Sequence, residues 1–544
     1  MGFNPTMERT SRKRGLHWRT IFGPGVALAA IALALVAAVG TVDASLSPHH
    51  LTFLQLLTPD PIAAAWTMAL LGTSEGVAIA IVIVVVVLGV QLTADRYSPR
   101  IIDIFIRDRM NALVLALFLG SIVFTIWMST EIKPDYVPYY GVFFAIGLAI
   151  VDFAVLLPYV RYMFQIMRGE AIIDGIRGRA AHAIAAAAAN PTRQVHHRHE
   201  VREAISQLVD IALGSIQEGD TEVALAALHC LRHLVCDEYL PRKTKFEKKW
   251  MTVGHEDMPG ASDQTIIQVD RTNTWLEHSI LASFVDLMGE TPAFRKEIIH
   301  AIAITTRDMG RQAVRHEDPE LLDLVLRFFN TYFRASLNQR APTFAYTVMN
   351  EYRRFASDSI EEAPDLSLRV AEHMLRYGRA FDAAGMPFII GTAAEDVSTL
   401  VQEMAKYDPD RALLLTASLA QALADMAPHS QPLSLNGILK AVIKLALWAL
   451  AESRNEITAP LCVALLKVRP DAVETALGRM ESTMEKVFWE VSDRVVAYDW
   501  VEDGLRELIP ILRTRLFEVD APVRNATPRI KGAPPAKAAS TSRP

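Results

Sequence analysis

The sequence predicts an all-α protein: four transmembrane helices followed by a large cytoplasmic helical domain, built as a layered bundle or a solenoid-like stack. Three observations predict it. Residues 20–166 hold four long apolar runs, the cations gather in alternate connections between those runs, and beyond residue 199 apolar residues recur at intervals of three and four between turn signals.

The chain has 544 residues, enough for two or three domains, and its formal charge of −6 is small for that length. Such a balance gives no reason to expect a nucleic acid as partner. Cys230, Cys236 and Cys462 are the only cysteines. Three thiols spread this widely are no disulfide framework, and they suit a reducing compartment. The opening Met1-Gly2-Phe3-Asn4-Pro5-Thr6 fits the loose myristoylation pattern, but a spanning helix makes a lipid anchor redundant. The apolar run after Arg12-Lys13-Arg14 is too long for the core of a cleavable signal peptide.

A helix crosses the ~30 Å hydrocarbon core with about 20 apolar residues at ~1.5 Å each. Four stretches qualify: Ile21 to Val42, Ala63 to Leu92, Met110 to Met128, and Tyr139 to Phe164. The second exceeds one upright span and lapses at Gly72-Thr73-Ser74-Glu75-Gly76, so it is expected to be tilted, broken or extended beyond the bilayer.

Cations set the orientation. Arg9, Arg12, Lys13, Arg14 and Arg19 precede the first run, and the loop from Asp43 to Pro61 has no Lys or Arg. The second connection carries Arg96, Arg100, Arg107 and Arg109, the third only Lys133, and Arg161, Arg168, Arg177 and Arg179 lie at the end of the fourth run or after it. Every basic cluster falls on one side. A multi-pass protein of the inner, cytoplasmic membrane with both termini in the cytoplasm is the expectation. Trp18, Trp66, Trp127, Tyr139, Tyr140, Tyr159 and Tyr162 stand near the ends of the runs, where amphipathic rings meet headgroups.

Five regions follow: a basic N-terminus (1–19), the transmembrane domain (20–166), a helical stalk and hinge (167–198), the cytoplasmic helical domain (199–519) and a disordered tail (520–544). The stalk ends before Asn190-Pro191, and the hinge holds His196, His197 and His199. Helical blocks include Val201 to Ile216, Glu222 to Leu240, Trp275 to Met288, Pro319 to Leu337, Leu366 to Phe381, Ala412 to Met426, Leu433 to Leu450 and Val501 to Phe517. Thr265 to Val269 reads as a strand and Arg242 to Asp263 as a long loop. No fixed-period repeat identifies a solenoid class.

The most distinctive motif follows the second run: Gln91-Leu92, then Tyr97-Ser98-Pro99-Arg100, then Phe105-Ile106-Arg107-Asp108-Arg109. Ser98 is a good N-cap and Pro99 a good first helical residue, so a helix is expected to start there. Arg100, Asp103 and Arg107 share its face, while Ile101, Ile102, Phe105 and Ile106 reach the acyl boundary. An interfacial elbow whose arginines bind anionic headgroups is the plain reading, and a coupling element between membrane and domain is the other.

These residues also carry a resemblance. The motif between two apolar runs resembles the signature of a bacterial family of predicted membrane proteins of unassigned function, domain-of-unknown-function family 2254. Leu208-Val209-Asp210-Ile211-Ala212 is a second match. The chain departs from the family where Gly214-Ser215-Ile216-Gln217 stands in place of a Ser-Pro-Gly-Ile-Asn-Asp-Pro stretch, and it lacks a recognisable small β-rich section after the fourth run. The resemblance implies a divergent member and brings no activity with it.

Two acids fall inside apolar runs. Asp152 stands 13 residues past Tyr139, near mid-bilayer, where a charge costs several kcal/mol unless it is neutralised, paired or hydrated. Glu75, 16 residues before Gln91, is expected in the outer third or at the outer interface. Together they would line a polar path for a cation or proton. Otherwise Asp152 is hydrogen-bonded between helices and Glu75 faces water. His229, His233 and Cys236 follow at helical spacing and are ligand types for zinc, although a polar helix face reads the same way and no second ligand pair accompanies them.

No phosphate-binding loop, paired-His metalloprotease helix, nucleophile elbow or EF-hand loop occurs. The leading expectation is a non-enzymatic, cofactor-free membrane-anchored scaffold or regulatory module. Its expected partners are the lipid bilayer, an unknown cytoplasmic protein and a second copy of itself. The alternative is an oligomeric ion channel or transporter that uses Asp152.

Overall fold

A computed structural model describes residues 60–96, 108–258, 260–428, 432–486 and 497–517, with Ala30, Ala34 and Ala38. The rest of the first predicted run, Tyr97, Ser98, Pro99, Arg100 and Arg107 of the motif, and the tail lie outside the described residues. The chain divides into two compact units, Met1–Phe355 and Ala356–Pro544. Among the described residues the fold is helical, with a single isolated bridge, Lys133 to Tyr136, and no strand.

In the first unit, α1 (Pro61–Arg96), α2 (Arg109–Glu131) and α3 (Tyr139–Ile166) correspond to the second, third and fourth apolar runs. Asp60 accepts from the Ile62 N–H and Pro61 takes the first helical position, where its missing N–H costs nothing. The second run is one unbroken helix of 36 residues, ~54 Å long and well beyond one upright crossing. Its polar lapse does not interrupt it, because Thr73 and Ser74 donate back to the Ala69 and Leu70 carbonyls at 2.7 and 2.8 Å.

The three helices pack along stripes spaced by threes and fours. On α2 the buried residues are Asn111, Val114, Phe118, Ser121, Thr125 and Met128. On α3 the stripe runs through Val142, Ala145, Ala149, Asp152 and Tyr159. The opposite faces show Trp66, Leu70, Val84, Val123 and Leu157 bare, as suits a lipid surround.

A fourth helix is long and apolar enough to cross a membrane, Pro432–Ala451, yet it sits inside the second unit. Of its apolar window 61 % is buried, against 22–28 % in α1–α3. Most of it is packed against other helices of that unit, and it reads as a core helix.

The predicted stalk and hinge take a different form. The chain breaks helix at Met167 and Arg168 and restarts as α4 (Gly169–Ala189). This helix buries Ile172, Ile176, Ala180, Ala183, Ile184 and Ala187 against α5 (Gln194–Glu218), so it belongs to the core of the unit. Residues 194–199 of the hinge are the first turns of α5. The helix stops before Pro191 as expected, with Asn190 its C-cap, but Asn190 also accepts from the Thr192 N–H and Pro191 starts a short 3-10 turn, so a new helix opens at once. Arg198 is then locked over the Trp275 ring at 4.8 Å and paired with Asp257 at 2.9 Å. A boundary at residue 199 therefore cuts through a packed hairpin.

The unit continues through α6 (Thr221–Arg232), a π-helix (His233–Tyr239), a 3-10 helix (Leu240–Lys245), α7 (Lys248–Met251), α8 (Asp263–Thr272), α9 (Trp275–Glu290), α10 (Lys296–Arg315), α11 (Pro319–Asn338) and α12 (Pro342–Asp358), within whose last turn the second unit begins. The expected strand at Thr265–Val269 is helical: Ser262 caps the Thr265 N–H, and Ile266 and Val269 face inward at a spacing of three. The expected long loop shrinks to residues 252–262, because Phe246 and Trp250 stack at 4.5 Å and fold its first half inward.

The second unit holds α13 (Pro364–Ala383), α14 (Phe388–Tyr407), α15 (Pro409–Met426), α16 (Pro432–Ala451), α17 (Asn455–Leu465), α18 (Pro470–Ser482), α19 (Asp503–Arg506) and α20 (Ile509–Phe517). Its centre is the crossing of α14 with α16. A Cβ on Gly391 would stand 3.0 Å from the Gly437 backbone, and one on Gly437 would stand 2.9 Å from that of Gly391.

Candidate functional site

Helices α1 to α3 are layered along their length. At the end carrying Pro61 and Glu131, Ala64, Met68, Met128, Val137, Val142 and Ala145 form a closed apolar cluster. One to two turns further in, the stripes turn polar. Ser121 donates to Glu75 Oε1 at 2.7 Å, and Thr125 donates to Glu75 Oε2 at 3.1 Å. Both carboxylates, Glu75 and Asp152, are 0 % exposed. The Ser121 hydroxyl also lies near Asp152, and the Glu75 charge acts on it, so the four side chains form one cluster.

Ser121 fixes the level of this cluster. It stands 12 residues from Arg109 and 10 from Glu131, the middle of α2. Glu75 is therefore level with the middle of α2, and it is buried there and does not face water. Asp152 stands 13 residues past Tyr139, at the middle of α3.

Glu75 and Asp152 differ in what surrounds them. Each oxygen of Glu75 accepts from one hydroxyl, whereas neither oxygen of Asp152 has a hydrogen-bond partner. A bare carboxylate in hydrocarbon costs several kcal/mol. The asymmetry therefore assigns different roles to the two acids.

Further in, Ala78 and Val82 of α1 and Phe118 and Val114 of α2 restore an apolar layer. A second polar belt then closes the arginine-bearing end. Asp108 caps α2 by accepting from the Met110 and Asn111 N–H groups at 2.8 and 3.0 Å, and its other oxygen accepts from the Tyr162 hydroxyl at 2.9 Å. Tyr159 donates to Asn111. Thus Asp108 ties the start of α2 to the end of α3, while Arg109 begins the α2 helix. Gly89 of α1 leaves the space through which the Met167 side chain passes.

Sequence reading missed Ser121, Thr125 and Asn111, and saw Tyr159 and Tyr162 only as interfacial rings. The signal was present: Asn111, Ser121 and Thr125 recur on one stripe of an apolar run, the spacing expected of polar groups turned toward partner helices.

His229, His233 and Cys236 are not brought together. His229 is exposed, while Cys236 is buried and its thiol is pushed up, first by burial and then by Asp308. His233–Tyr239 is a π-helix, whose wider turn departs from the three-and-four spacing that would set these side chains on one α-helical face. Among the described residues no group of three or more His, Cys, Asp or Glu side chains is placed to hold a metal ion.

Residues 20–204 match a family model described as a predicted membrane protein family, DUF2254. The match covers the apolar helices, the elbow, α4 and the start of α5. No curated protein matches the chain. A solved circular tandem repeat protein with novel repeat topology and enhanced subunit contact surfaces is 14 % identical over 92 % of this chain and 98 % of its own, with a TM-score of 0.24. A likeness at that score carries no argument about fold or function.

Proposed function

We propose that this chain is a multi-pass protein of the bacterial cytoplasmic membrane that carries a proton or a monovalent cation between the two faces. In this reading it works as an oligomer, without enzymatic chemistry, and both termini are cytoplasmic. The observation that carries the reading is the meeting of Glu75 and Asp152 at one mid-span level. Ionisable groups at such depth are costly to keep and mark ion or proton paths by default.

Apolar layers lie on both sides of the pair, so a conducting path requires either a second copy or a shift of one helix against its neighbours. Asp108, tied to α3 through Tyr162, is well placed to pass such a shift to the elbow. The elbow arginines are proposed to hold anionic headgroups. The helical units would act as a regulatory interaction module for a cytoplasmic partner, which keeps the anchoring role expected from sequence as part of the larger one.

Purified full-length protein in liposomes tests this directly. The reading expects a proton, sodium or potassium flux above that of empty vesicles, reduced at least tenfold by Glu75→Gln or Asp152→Asn. A wild-type protein that passes none of the three, over the range of imposed voltages, would overturn it.

A further inference from the structure

We propose that the ligand of the Glu75–Asp152 site is a single proton, held on Asp152, and not a metal cation. The inference rests on the preceding reading for its place in transport, but its geometry stands independently.

The hydroxyls gather on one acid. Ser121 and Thr125 each set a hydroxyl within hydrogen-bond distance of a different Glu75 oxygen. Glu75 is thereby fitted as an anion, with one donor on each oxygen. Asp152, fully buried, has the Ser121 hydroxyl near it but no well-formed hydrogen bond of its own. An ionised Asp152 would stand bare in hydrocarbon beside a second negative charge, and two like charges so placed do not both ionise.

A protonated Asp152 removes the difficulty. Its O–H can donate to the Ser121 oxygen, whose own proton is already committed to Glu75. The chain then runs Asp152 to Ser121 to Glu75 with one proton and one negative charge, and leaves the carbonyl oxygen of a neutral Asp152, the cheapest atom of the cluster to bury, without a donor.

The same distances argue against a shared metal ion. Oxygens around one hard cation at ~2.4 Å stand about 3.4 Å apart when adjacent. The Ser121–Glu75 separation of 2.7 Å is that of a direct hydrogen bond. Among the described residues, Glu75 is the charged group that acts on Asp152. Among the same residues no lysine or arginine acts on Asp152 to keep both acids ionised.

Infrared spectroscopy of the full-length protein in liposomes tests the assignment. At neutral pH the wild type should show one carboxylic-acid carbonyl band that shifts in heavy water. The band should move when the protein is made with isotope-labelled aspartate, stay put with labelled glutamate, and vanish in Asp152→Asn. Labelling keeps the test valid if that variant fails to fold. Absence of any such band, a band that follows the glutamate label, or its loss on adding sodium or potassium would overturn the proposal. A band with no flux would leave the proton on Asp152 and remove the transport reading.

Discussion

The hydroxyl of Ser121 donates to Glu75 at 2.7 Å, joining the midpoint of one apolar helix to a carboxylate buried on another. This contact decides how the three apolar helices are levelled, because it sets Glu75 against the middle of α2.

Ser121→Ala should therefore destabilise the membrane helices. It leaves one oxygen of a buried carboxylate without a donor, at a cost of about 1–3 kcal/mol. Ser121→Thr, which keeps the hydroxyl, should retain most of the stability. Thermal unfolding in one detergent, comparing both variants with wild type, checks the order. Equal midpoints for all three would show that the bond is not formed.

At the other polar belt, Tyr162→Phe removes the donor to Asp108 but leaves the cap of α2 intact. A loss of about 1.5–3 kcal/mol is expected, as for a hydrogen bond to a charged group. Asp108→Ala removes the cap as well and should cost more, whereas Asp108→Asn should fall between wild type and alanine. The same unfolding measurement ranks them.

The crossing of Gly391 and Gly437 predicts an effect of the opposite kind. Adding a methyl group at either site drives it into the backbone of the facing helix, which cannot swing aside as a side chain would. Gly391→Ala should destabilise the second unit by about 1–3 kcal/mol through overpacking. Gly478→Ala, with open space around its position, should not. Limited proteolysis of the full chain should show faster cleavage within residues 356–517 for the first variant only.

A pH dependence follows from Glu351. Burial alone would raise its carboxyl, but the His300 hydrogen bond and the Arg307 and Arg354 charges outweigh it and hold the group below its ordinary value. The unfolded chain thus binds this proton more tightly than the folded one. The contribution to stability is whole above about pH 4.3 and is lost as pH falls through the folded value. Acid unfolding monitored by fluorescence should show this dependence, and Glu351→Gln should abolish it while lowering stability at neutral pH. An unchanged acid limb in that variant would refute the assignment.

Much of the helical architecture was legible in the sequence because its punctuation is chemical. Asp318-Pro319 and Asp408-Pro409 start helices as caps and first residues, and apolar stripes such as Leu321, Val325 and Phe329 declare the buried face. The hinge was misread because the helix that stops before Pro191 restarts at once, with Asn190 capping the new turn and α5 beginning at Gln194. The Thr265–Val269 strand was misread because two isoleucines and a valine outweighed the Ser262 cap. For the site, Asp152 was visible as a charge in an apolar run. Its pairing with Glu75 was hidden, because the level of one helix against another is set by packing, which the residue count along a single long helix does not contain.

The central claim is that the Glu75–Ser121–Asp152 layer lies at the middle of a lipid bilayer. Val123, two residues from Ser121, faces outward and is 64 % exposed. A nitroxide placed there on a cysteine-free chain in liposomes reads its own depth from collisions with oxygen and with a water-soluble nickel complex. A label near the bilayer centre, sheltered from nickel and open to oxygen, is the predicted result. A label at the headgroups or in water would contradict the account.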